Sequence, residues 1–293
     1  MQIAFLGSAD SWYFKDLLRA AASRHALQAV PFSRLSASLV ESKECRVTSD
    51  EFNLSGVDAV LVRTMPPGSL EQVVFRMDLL GRLAKERRVY VLNSPRAIEA
   101  AVDKFLSSAK MHEAGLITPQ TIVCQTVDDA MAGFERLGSD VVVKPLFGSE
   151  GRGITRVTDD NIALRVFKAL VQLNAVIYLQ SFVEHEGYDI RCLVLGDKTW
   201  VMRRRHPTDW RTNVSRGATA EPYEVNDHLV ETARQAAKCV GAEFAGVDIL
   251  PGRDGRHYVL EANAVPGWKA LSRALQVDIA AHLLEHLEMQ VNR

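Results

Sequence analysis

Hydrophobic residues in the first part of the chain fall in short runs that alternate with segments of helical spacing. Apolar residues recur at helical intervals from Phe14 to Ala21 and from Leu70 to Ala84. The short runs have the length and apolar content of buried strands, and they are Gln2–Leu6, Leu27–Phe32, Ala59–Arg63 and Val89–Leu92. Strands that alternate with helices predict a small parallel sheet, so residues 1–93 are predicted to form an N-terminal αβ domain.

The pattern changes at Ser94, where a helical segment begins behind a predicted cap and a first-turn proline and runs to Ala114. Later runs are again of the strand type, with helical segments between them. These predicted strands are Thr121–Val127, Val141–Lys144, Ile154–Val157 and Val176–Ser181. Residues 94–182 are therefore predicted to form a compact central lobe.

In the last third, two strand-like runs, Asp189–Leu195 and Thr199–Arg205, flank a turn dipeptide, Gly196-Asp197. This spacing predicts an antiparallel pair. A helical segment then separates the pair from two further runs, Phe244–Leu250 and His257–Ala262, and an amphipathic helix ends the chain. Residues 183–293 are predicted to form a C-terminal lobe, and the whole chain is predicted to be of the α/β (α+β) class.

Composition narrows the range of partners. The 293 residues are 47% hydrophobic and 24% charged, with a net charge of −1. A near-neutral chain lacks the basic surface of proteins held mainly by nucleic-acid phosphates, so we expect a small-molecule partner and no nucleic acid. The four cysteines are widely spaced, which fits a reducing compartment. The sequence contains neither a basic leader nor an apolar stretch of membrane length, so we expect a cytoplasmic protein without membrane insertion.

A glycine-rich loop, KPLFGSEGRG at residues 144–153, lies between two β-branched runs. Its glycines follow the lysine and precede a strand, so it is not a Walker P-loop, and the first strand likewise lacks the Rossmann G-x-G-x-x-G. Glycines in such a loop let backbone N–H groups fold over an anion, while Lys144 supplies a positive charge from a strand. A plain hairpin with a surface lysine is the alternative.

Acidic and amide side chains occur on the last two predicted strands. Glu261 and Asn263 are two residues apart and point to the same side, and Asp248 can reach them from the neighbouring strand. Oxygen ligands of this kind suit Mg²⁺, with substrate phosphates completing its coordination. A buried carboxylate that is hydrogen-bonded to the backbone is the alternative.

Arginines are concentrated between the glycine-rich loop and these acids. Arg191 lies in YDIRCLV, and the stretch RRRHPTDWRTNVSRGA at residues 203–218 adds more. They could bind carboxylates or phosphoryl groups bidentately, and a solvated basic face is the alternative. The pattern His282-x-x-Glu285-His286 matches a zinc motif, but core-like apolar spacing on the same helix favours a packing role.

Together these motifs resemble the RimK-type branch of the ATP-grasp carboxylate-amine ligases. The resemblance rests on DKFLS, GSEGRG, DWRTNVSRGA, GVDIL and LEANAVPG in that order, and it covers residues 93–268. It implies an ATP-grasp fold behind a small parallel-sheet domain, and an ATP-dependent enzyme that joins a carboxylate to an amine through an acyl phosphate. The amine in this branch is commonly L-glutamate, added to a protein tail, a pterin or deazaflavin cofactor, or an amino-acid carrier.

The resemblance also implies roles for individual residues, with ATP and Mg²⁺ as cofactors. Lys104 and Lys144 would contact the ATP phosphates, residues 180–183 the adenine, Glu184 the ribose, and Arg216 the amino-acid pocket. The implied cofactor-binding set is Lys104, Lys144, Gly148, Ser149, Gly151, Gly153, Gln180, Ser181, Phe182, Val183, Glu184 and Arg216. The implied catalytic set is Arg191, Arg204, Arg211 and Asn213, and the implied ligands of two Mg²⁺ ions, which Mn²⁺ can replace, are Asp248, Glu261 and Asn263. Ala218 departs from the common pattern, which has a second glycine after Gly217.

We expect L-glutamate to be added to a small cofactor-like acid such as a tetrahydromethanopterin precursor, with Trp210 and Trp268 as candidates to stack on a flat ring. Glutamylation of a ribosomal-protein C-terminus or of an amino-acid carrier protein is the alternative. A nucleotide-binding regulator without turnover is a second class, and a dehydrogenase is a third, disfavoured by the missing glycine fingerprint. The family often forms dimers or tetramers, so a homo-oligomer is also expected.

Overall fold

The computed structural model describes residues 1–39, 45–63, 65–86, 89–148, 151–214 and 217–293. The N-terminal part contains the predicted parallel sheet, with strands in the order β2-β1-β6-β7. Its elements are β1 (Gln2–Leu6), α1 (Trp12–Ala21), β2 (Ala26–Val30), β3 (Leu35–Leu39), β4 (Cys45–Ser49), β5 (Phe52–Asn53), β6 (Ala59–Val62), α2 (Leu70–Glu86) and β7 (Tyr90–Leu92). The parallel sheet predicted from the apolar runs is thus confirmed.

A small antiparallel sheet of β3, β4 and β5 was not predicted. Only β4 buries one face along its length, and β3 is exposed after its first residue, so neither carries the continuous apolar run that identifies a buried strand. The predicted strand Leu27–Phe32 is also shorter than expected. Pro31 cannot donate a backbone hydrogen bond to a sheet, and Phe32 begins a short 3-10 turn instead.

The central part forms an antiparallel sheet in the order β10-β9-β11-β8. Phe134 and Phe167, from two helices, are completely buried against it in a separate hydrophobic cluster. The elements are α3 (Pro95–Val102), α4 (Lys104–Glu113), β8 (Thr121–Cys124), α5 (Val127–Arg136), β9 (Val141–Lys144), β10 (Thr155–Val157), α6 (Asp160–Gln172) and β11 (Ile177–Ser181).

The single helix predicted from Ser94 to Ala114 is wrong, because Asp103 divides it into α3 and α4. Asp103 has an extended backbone, and its carboxylate accepts hydrogen bonds from the backbone N–H groups of Phe105 and Leu106 at 2.9 and 3.0 Å. An aspartate offers this capping geometry as an alternative to continuing a helix. As a result, Lys104 occupies the first turn of α4.

The last part forms an antiparallel sheet in the order β14-β13-β12-β15-β16, which confirms the predicted hairpin and the last two strands. Its elements are β12 (Tyr188–Leu195), β13 (Lys198–Arg205), β14 (Thr219–Pro222), α7 (Asp227–Cys239), β15 (Phe244–Pro251), β16 (His257–Asn263), α8 (Lys269–Leu275) and α9 (Ile279–Val291). Asn93 joins this sheet to the N-terminal part. Its amide donates to the carbonyls of Phe244 and Ala264, at 2.6 and 2.7 Å.

Two hydrophobic clusters combine residues of the N-terminal sheet with residues of the last sheet. Trp268 lies in one of them, completely buried, and its indole N–H donates to Asp16 at 2.9 Å. The idea that Trp268 stacks on a substrate ring is therefore wrong, because the ring is enclosed by the core.

In the part of the chain that the structure describes, no helix combines the length and the apolar content of a membrane span.

Candidate active site

A cleft between the central sheet and the last sheet collects most of the residues that the sequence identified. Its floor and walls come from the ends of β9, β11, β15 and β16 and from the loops that follow β9 and β13. From the predicted sets it is lined by Lys104, Lys144, Gly148, Gly151, Gln180, Ser181, Phe182, Val183, Arg211, Asn213, Asp248 and Glu261. Residues from all three predicted sets thus meet in one cavity.

Lys144 is the last residue of β9 and is half-buried in this cleft. Its ammonium group donates to the side-chain oxygen of Gln180, at 2.5 Å, from the neighbouring strand β11. Burial lowers the pKa of Lys144 to about 8, and the nearby positive Lys104 acts in the same direction, while attraction to Glu261 opposes both. Gln180 is itself buried and donates to Thr121 at 3.1 Å, so its side chain orients the lysine.

Lys104 fixes the start of the glycine-rich loop. Its ammonium group donates to the backbone carbonyl of Gly148 at 2.8 Å, and burial lowers its pKa. Gly148, Gly151 and Gly153 have φ angles of 136°, 70° and 73°, in the left-handed region that favours glycine. The loop connects an antiparallel pair, β9 and β10, and it also lines the cleft, so it is both a hairpin connection and a cover.

The segment that follows β13 contacts the glycine-rich loop. A Cβ atom added at Gly151 would overlap the Asn213 side chain, so the loop and the segment are in close contact. Arg211 donates to both carboxylate oxygens of Asp209, at 2.9 and 3.0 Å, and reaches the backbone carbonyl of Ile154 at 3.4 Å. Arg211 and Asn213 therefore lie against the glycine-rich loop, on one side of the cleft.

Two acidic side chains face each other across the last strand pair. Asp248 on β15 is the register partner of Glu261 on β16. Burial and then repulsion from Asp248 raise the pKa of Glu261. In the described part of the chain, no side chain donates a hydrogen bond to Glu261 or pairs with it. An unpaired carboxylate beside a second one, in a cleft that also holds two lysines, fits a hard divalent cation with phosphate co-ligands.

Asn263, the third predicted ligand, lies two residues beyond Glu261 on the same strand. Its side-chain oxygen accepts a hydrogen bond from the backbone N–H of Val265, at 2.8 Å. A carbonyl oxygen has a second lone pair, so this bond leaves it able to bind a cation. The donor set of two carboxylates and one amide oxygen fits Mg²⁺.

Arg191 and Arg204 lie behind Asp248 and do not line the cleft. Arg191 donates to one oxygen of Asp248 at 2.6 Å, and Arg204 lies 2.8 Å from the other. Burial alone would raise the pKa of Asp248, but the two guanidinium groups outweigh it and hold that pKa below its usual value. Gly246 leaves room for Arg191, because any Cβ there would overlap the guanidinium. Both arginines therefore position Asp248 and keep it ionised.

Asp189 is a cleft residue that the sequence reasoning missed. It is buried on β12 directly opposite Arg204 in the strand ladder, and Arg204 donates to both of its oxygens, at 2.5 and 2.7 Å. The sequence predicts this pairing, because the two-residue turn Gly196-Asp197 fixes the register of the hairpin and places Asp189 and Arg204 opposite each other. Asp189, Arg204 and Asp248 form one buried ionic network.

The residues predicted to contact the adenine, at positions 180–183, line another wall. Phe182 packs against Trp210, with ring centroids 5.7 Å apart, and the guanidinium of Arg156 lies 3.4 Å from its ring centroid. Glu184 is exposed and lies 3.7 Å from the same Arg156. Apolar cleft residues that the sequence did not identify complete this wall, and they are Pro119, Val142, Pro145, Ile154, Leu250 and Leu260. Single aliphatic positions in strands carry no signal that separates a cleft wall from a core.

Other predicted residues lie outside this cleft lining. Gly153 packs near Pro145 at the end of the glycine-rich loop. Ser149 and Arg216 lie outside the described residues. In the zinc-like pattern, His282 contacts Glu285 and Lys198, each at 3.1 Å, while the buried His286 contacts Glu243 and Tyr90. The two histidines of α9 thus contact different residues.

Comparison with known proteins identifies the family. The model of the RimK-like ATP-grasp domain family matches residues 101–287. The tetrahydromethanopterin:alpha-L-glutamate ligase of Methanosarcina acetivorans is 30% identical, over 95% of this chain and 96% of the relative. A glutamate–LysW ligase of Sulfurisphaera tokodaii is also 30% identical, over 68% of this chain and 73% of that relative.

A solved structure supports the fold. The ATP-grasp ligase PsnB, in complex with a minimal precursor, Mg and ADP, has a TM-score of 0.76 and 23% identity. The match covers 99% of this chain and 97% of PsnB. The predicted ATP-grasp fold behind a small parallel-sheet domain is thus confirmed. The chain belongs to the RimK-like ATP-grasp family and is an ATP-dependent ligase.

Proposed function

We propose that this enzyme joins the amino group of L-glutamate to the carboxylate of a small cofactor-like acceptor, such as a tetrahydromethanopterin precursor. The observation that carries the proposal is the match to the Methanosarcina acetivorans ligase, which extends over 95% of this chain and 96% of the relative. A match over nearly both full lengths includes the N-terminal sheet as well as the ATP-grasp part. The second candidate, transfer to an amino-acid carrier protein, is favoured by the glutamate–LysW ligase, whose match covers 68% of this chain.

The proposed chemistry uses the groups of the cleft in two steps. The acceptor carboxylate oxygen attacks the γ-phosphorus of ATP, which forms an acyl phosphate and releases ADP. The glutamate nitrogen then attacks the acyl carbon, phosphate leaves with the bonding electron pair, and the nitrogen loses a proton to give the amide. Lys104 and Lys144 bind phosphate oxygens, and Arg211 and Asn213 face the transferring group from beneath the glycine-rich loop.

Asp248, Glu261 and Asn263 would hold the divalent cation, and we propose two Mg²⁺ ions, for which Mn²⁺ can substitute. When bound, Mg²⁺ neutralises phosphate charge and polarises the γ-phosphoryl group. Arg191 and Arg204 act through Asp248, since both contact its carboxylate. The glycine-rich loop excludes water from the acyl phosphate once nucleotide is bound, because it covers the cavity that the nucleotide enters.

Phosphate release from ATP in the presence of Mg²⁺ tests the proposal. L-Glutamate and other amino acids would be paired with a pterin acid, a deazaflavin acid and a peptide with a free C-terminus, and each product would be analysed by mass spectrometry. We expect release only with L-glutamate and the pterin acid together, and loss of release in Lys144→Ala. Turnover on the peptide alone would contradict the choice of acceptor. Nucleotide binding without release in any pairing would instead support the non-catalytic regulator.

The lowered pKa of Lys144 predicts a pH dependence of nucleotide binding. Below pH 8 the lysine is charged before the nucleotide arrives, so affinity for ADP with Mg²⁺ should vary little. Above pH 8 the phosphates must recruit a proton to Lys144, so affinity should weaken with rising pH, by up to about tenfold per unit. Calorimetric titration between about pH 6.5 and pH 9.5 measures this.

Lys144→Arg is the matched control for that titration, because a guanidinium stays charged throughout the range. Its affinity can be lower than that of the wild type, but its profile should stay flat above pH 8. An identical pH profile in the two proteins would show that Lys144 is not the titrating group.

A further inference from the structure

Arg63, directly after β6 in the N-terminal sheet, is a buried cation that the proposed acyl-phosphate chemistry does not use. The residue is 4% exposed, and its guanidinium carbon lies 4.8 Å from the ring centroids of both Tyr13 and Trp268. Within the described residues, its Nε and Nη1 atoms have no hydrogen-bond partner and it forms no ion pair with a carboxylate. Asp16, nearby, instead contacts Trp268 and Arg19.

Such an arrangement costs stability. Burial lowers the pKa of Arg63 to about 10, so the group stays protonated at neutral pH. Contact with two aromatic faces offsets only part of the lost hydration, because neither ring replaces the hydrogen bonds to water. Buried polar groups in native proteins nearly always have partners, so two unpartnered guanidinium nitrogens favour a ligand that supplies them.

The position of Arg63 in the sheet also favours a ligand-binding role. In the order β2-β1-β6-β7 the chain moves from β1 outward to β2, and later places β6 on the other side of β1. Ligands of open parallel sheets bind at such a switch point, outside the carboxyl ends of the strands. Arg63 follows directly after β6, beside the loop of residues 7–11 that follows β1.

The N-terminus of α1 adds positive potential beside Arg63. The helix begins at Trp12, its first turn contains no acidic residue, and Tyr13, its second residue, lies against the Arg63 guanidinium. Free backbone N–H groups at a helix N-terminus attract anions. The helix terminus and the unpartnered guanidinium are independent features, and both favour a negatively charged group.

The segment that follows the candidate metal-binding strand also packs against Arg63. Trp268 belongs to this segment, and a Cβ atom at Gly267 would overlap the Tyr13 hydroxyl, so the segment and α1 are in close contact. Glu261 and Asn263 precede this segment on β16. Arg63 therefore contacts a segment that begins directly after the proposed cation ligands.

We propose that Arg63 binds a carboxylate of one of the two non-nucleotide substrates, at the carboxyl end of β6 where its guanidinium lies against Tyr13 and Trp268. This inference rests on the proposed function. The planar guanidinium matches a carboxylate bidentately. L-Glutamate keeps both of its carboxylates when its nitrogen forms the amide, and a cofactor-like acceptor can carry carboxylates besides the one that reacts. Either L-glutamate or the acceptor can therefore supply the carboxylate that Arg63 binds, and kinetic measurements show which of the two does.

The test compares Arg63→Met with wild type and with Arg24→Met, which removes an exposed arginine beyond the other end of α1. In Arg63→Met, we expect kcat/KM for one carboxylate substrate to fall by about 100-fold, with KM for ATP unchanged. The unfolding temperature should equal or exceed that of wild type, because the variant removes an unpartnered buried cation. Arg24→Met should match wild type in every constant.

The substrate whose KM rises identifies the source of the carboxylate. If kcat/KM for L-glutamate and for the acceptor both stay within about threefold of wild type, the proposal is overturned. It is also overturned if Arg63→Met unfolds at a lower temperature and loses affinity equally for all substrates, since that result describes a structural arginine.

A separate measurement tests the Arg63 site in the case that the proposed function is wrong. If the wild type turns over none of the substrate pairs, the dicarboxylate glutarate serves as the probe in thermal unfolding, without ATP. A glutarate-dependent rise in unfolding temperature that is present in the wild type and in Arg24→Met but lost in Arg63→Met supports the Arg63 site. Equal shifts in all three proteins, or none, overturn it.

Discussion

Replacing Glu261 with glutamine is expected to reduce ligase activity by at least about 1000-fold while the protein remains folded. Two arginines contact Asp248, so Glu261 supplies the negative charge of the proposed cation site that no arginine compensates. Glutamine keeps the size of the side chain but lacks the negative charge that Mg²⁺ requires. The loss should appear in phosphate release at saturating ATP, glutamate and acceptor.

Stability should not fall in the same variant. Burial and repulsion from Asp248 raise the pKa of Glu261, so the folded protein carries this charge at a cost that glutamine removes. Glu221→Gln is the matched control, because Glu221 lies on the same sheet but pairs with Arg203, at 2.6 Å, away from the cleft. An activity of Glu261→Gln within about tenfold of wild type would rule out Glu261 as an essential metal ligand.

Much of this site could be predicted because its residues lie on regular strands. The alternation of a strand places Glu261 and Asn263 on one side, and the short turn at Gly196-Asp197 sets Asp189 against Arg204. Both relations depend on local spacing alone. The order of the motifs supplied the rest, since it linked segments that lie far apart in sequence to one family.

Burial that depends on distant segments could not be predicted. Trp268 follows the strand of the proposed metal ligands, which makes it a candidate substrate contact from sequence, but α1 and β15 enclose it, with Phe244 at 5.9 Å and Tyr13 at 4.7 Å between ring centroids. Arg63 ends an apolar run and carries no motif, and its burial between Tyr13 and Trp268 appears only in the structure. Asp103 shows a third limit, because one capping side chain overrides a continuous helical pattern.

Replacing Arg204 with methionine is expected to destabilise the protein by about 3–5 kcal/mol. Arg204 is 7% exposed and compensates two buried carboxylates, Asp189 and Asp248, which lie 2.5 and 2.8 Å from its Nη2 atom. Methionine fills similar space but leaves both acids short of their shared cation. Asp248 keeps Arg191, whereas Asp189 loses its only ion pair among the described residues, so most of the cost should come from Asp189. Urea unfolding followed by circular dichroism measures the change.

Arg203→Met is the matched control on the same strand, because its side chain points to the other face and pairs with a half-exposed Glu221. Its loss should be below about 1 kcal/mol. Adding Asp189→Asn to Arg204→Met should recover part of the stability, since the double variant no longer buries an uncompensated carboxylate. If Arg204→Met were no less stable than Arg203→Met, the buried network would not hold this part of the sheet together, and Asp248 would depend on Arg191 alone.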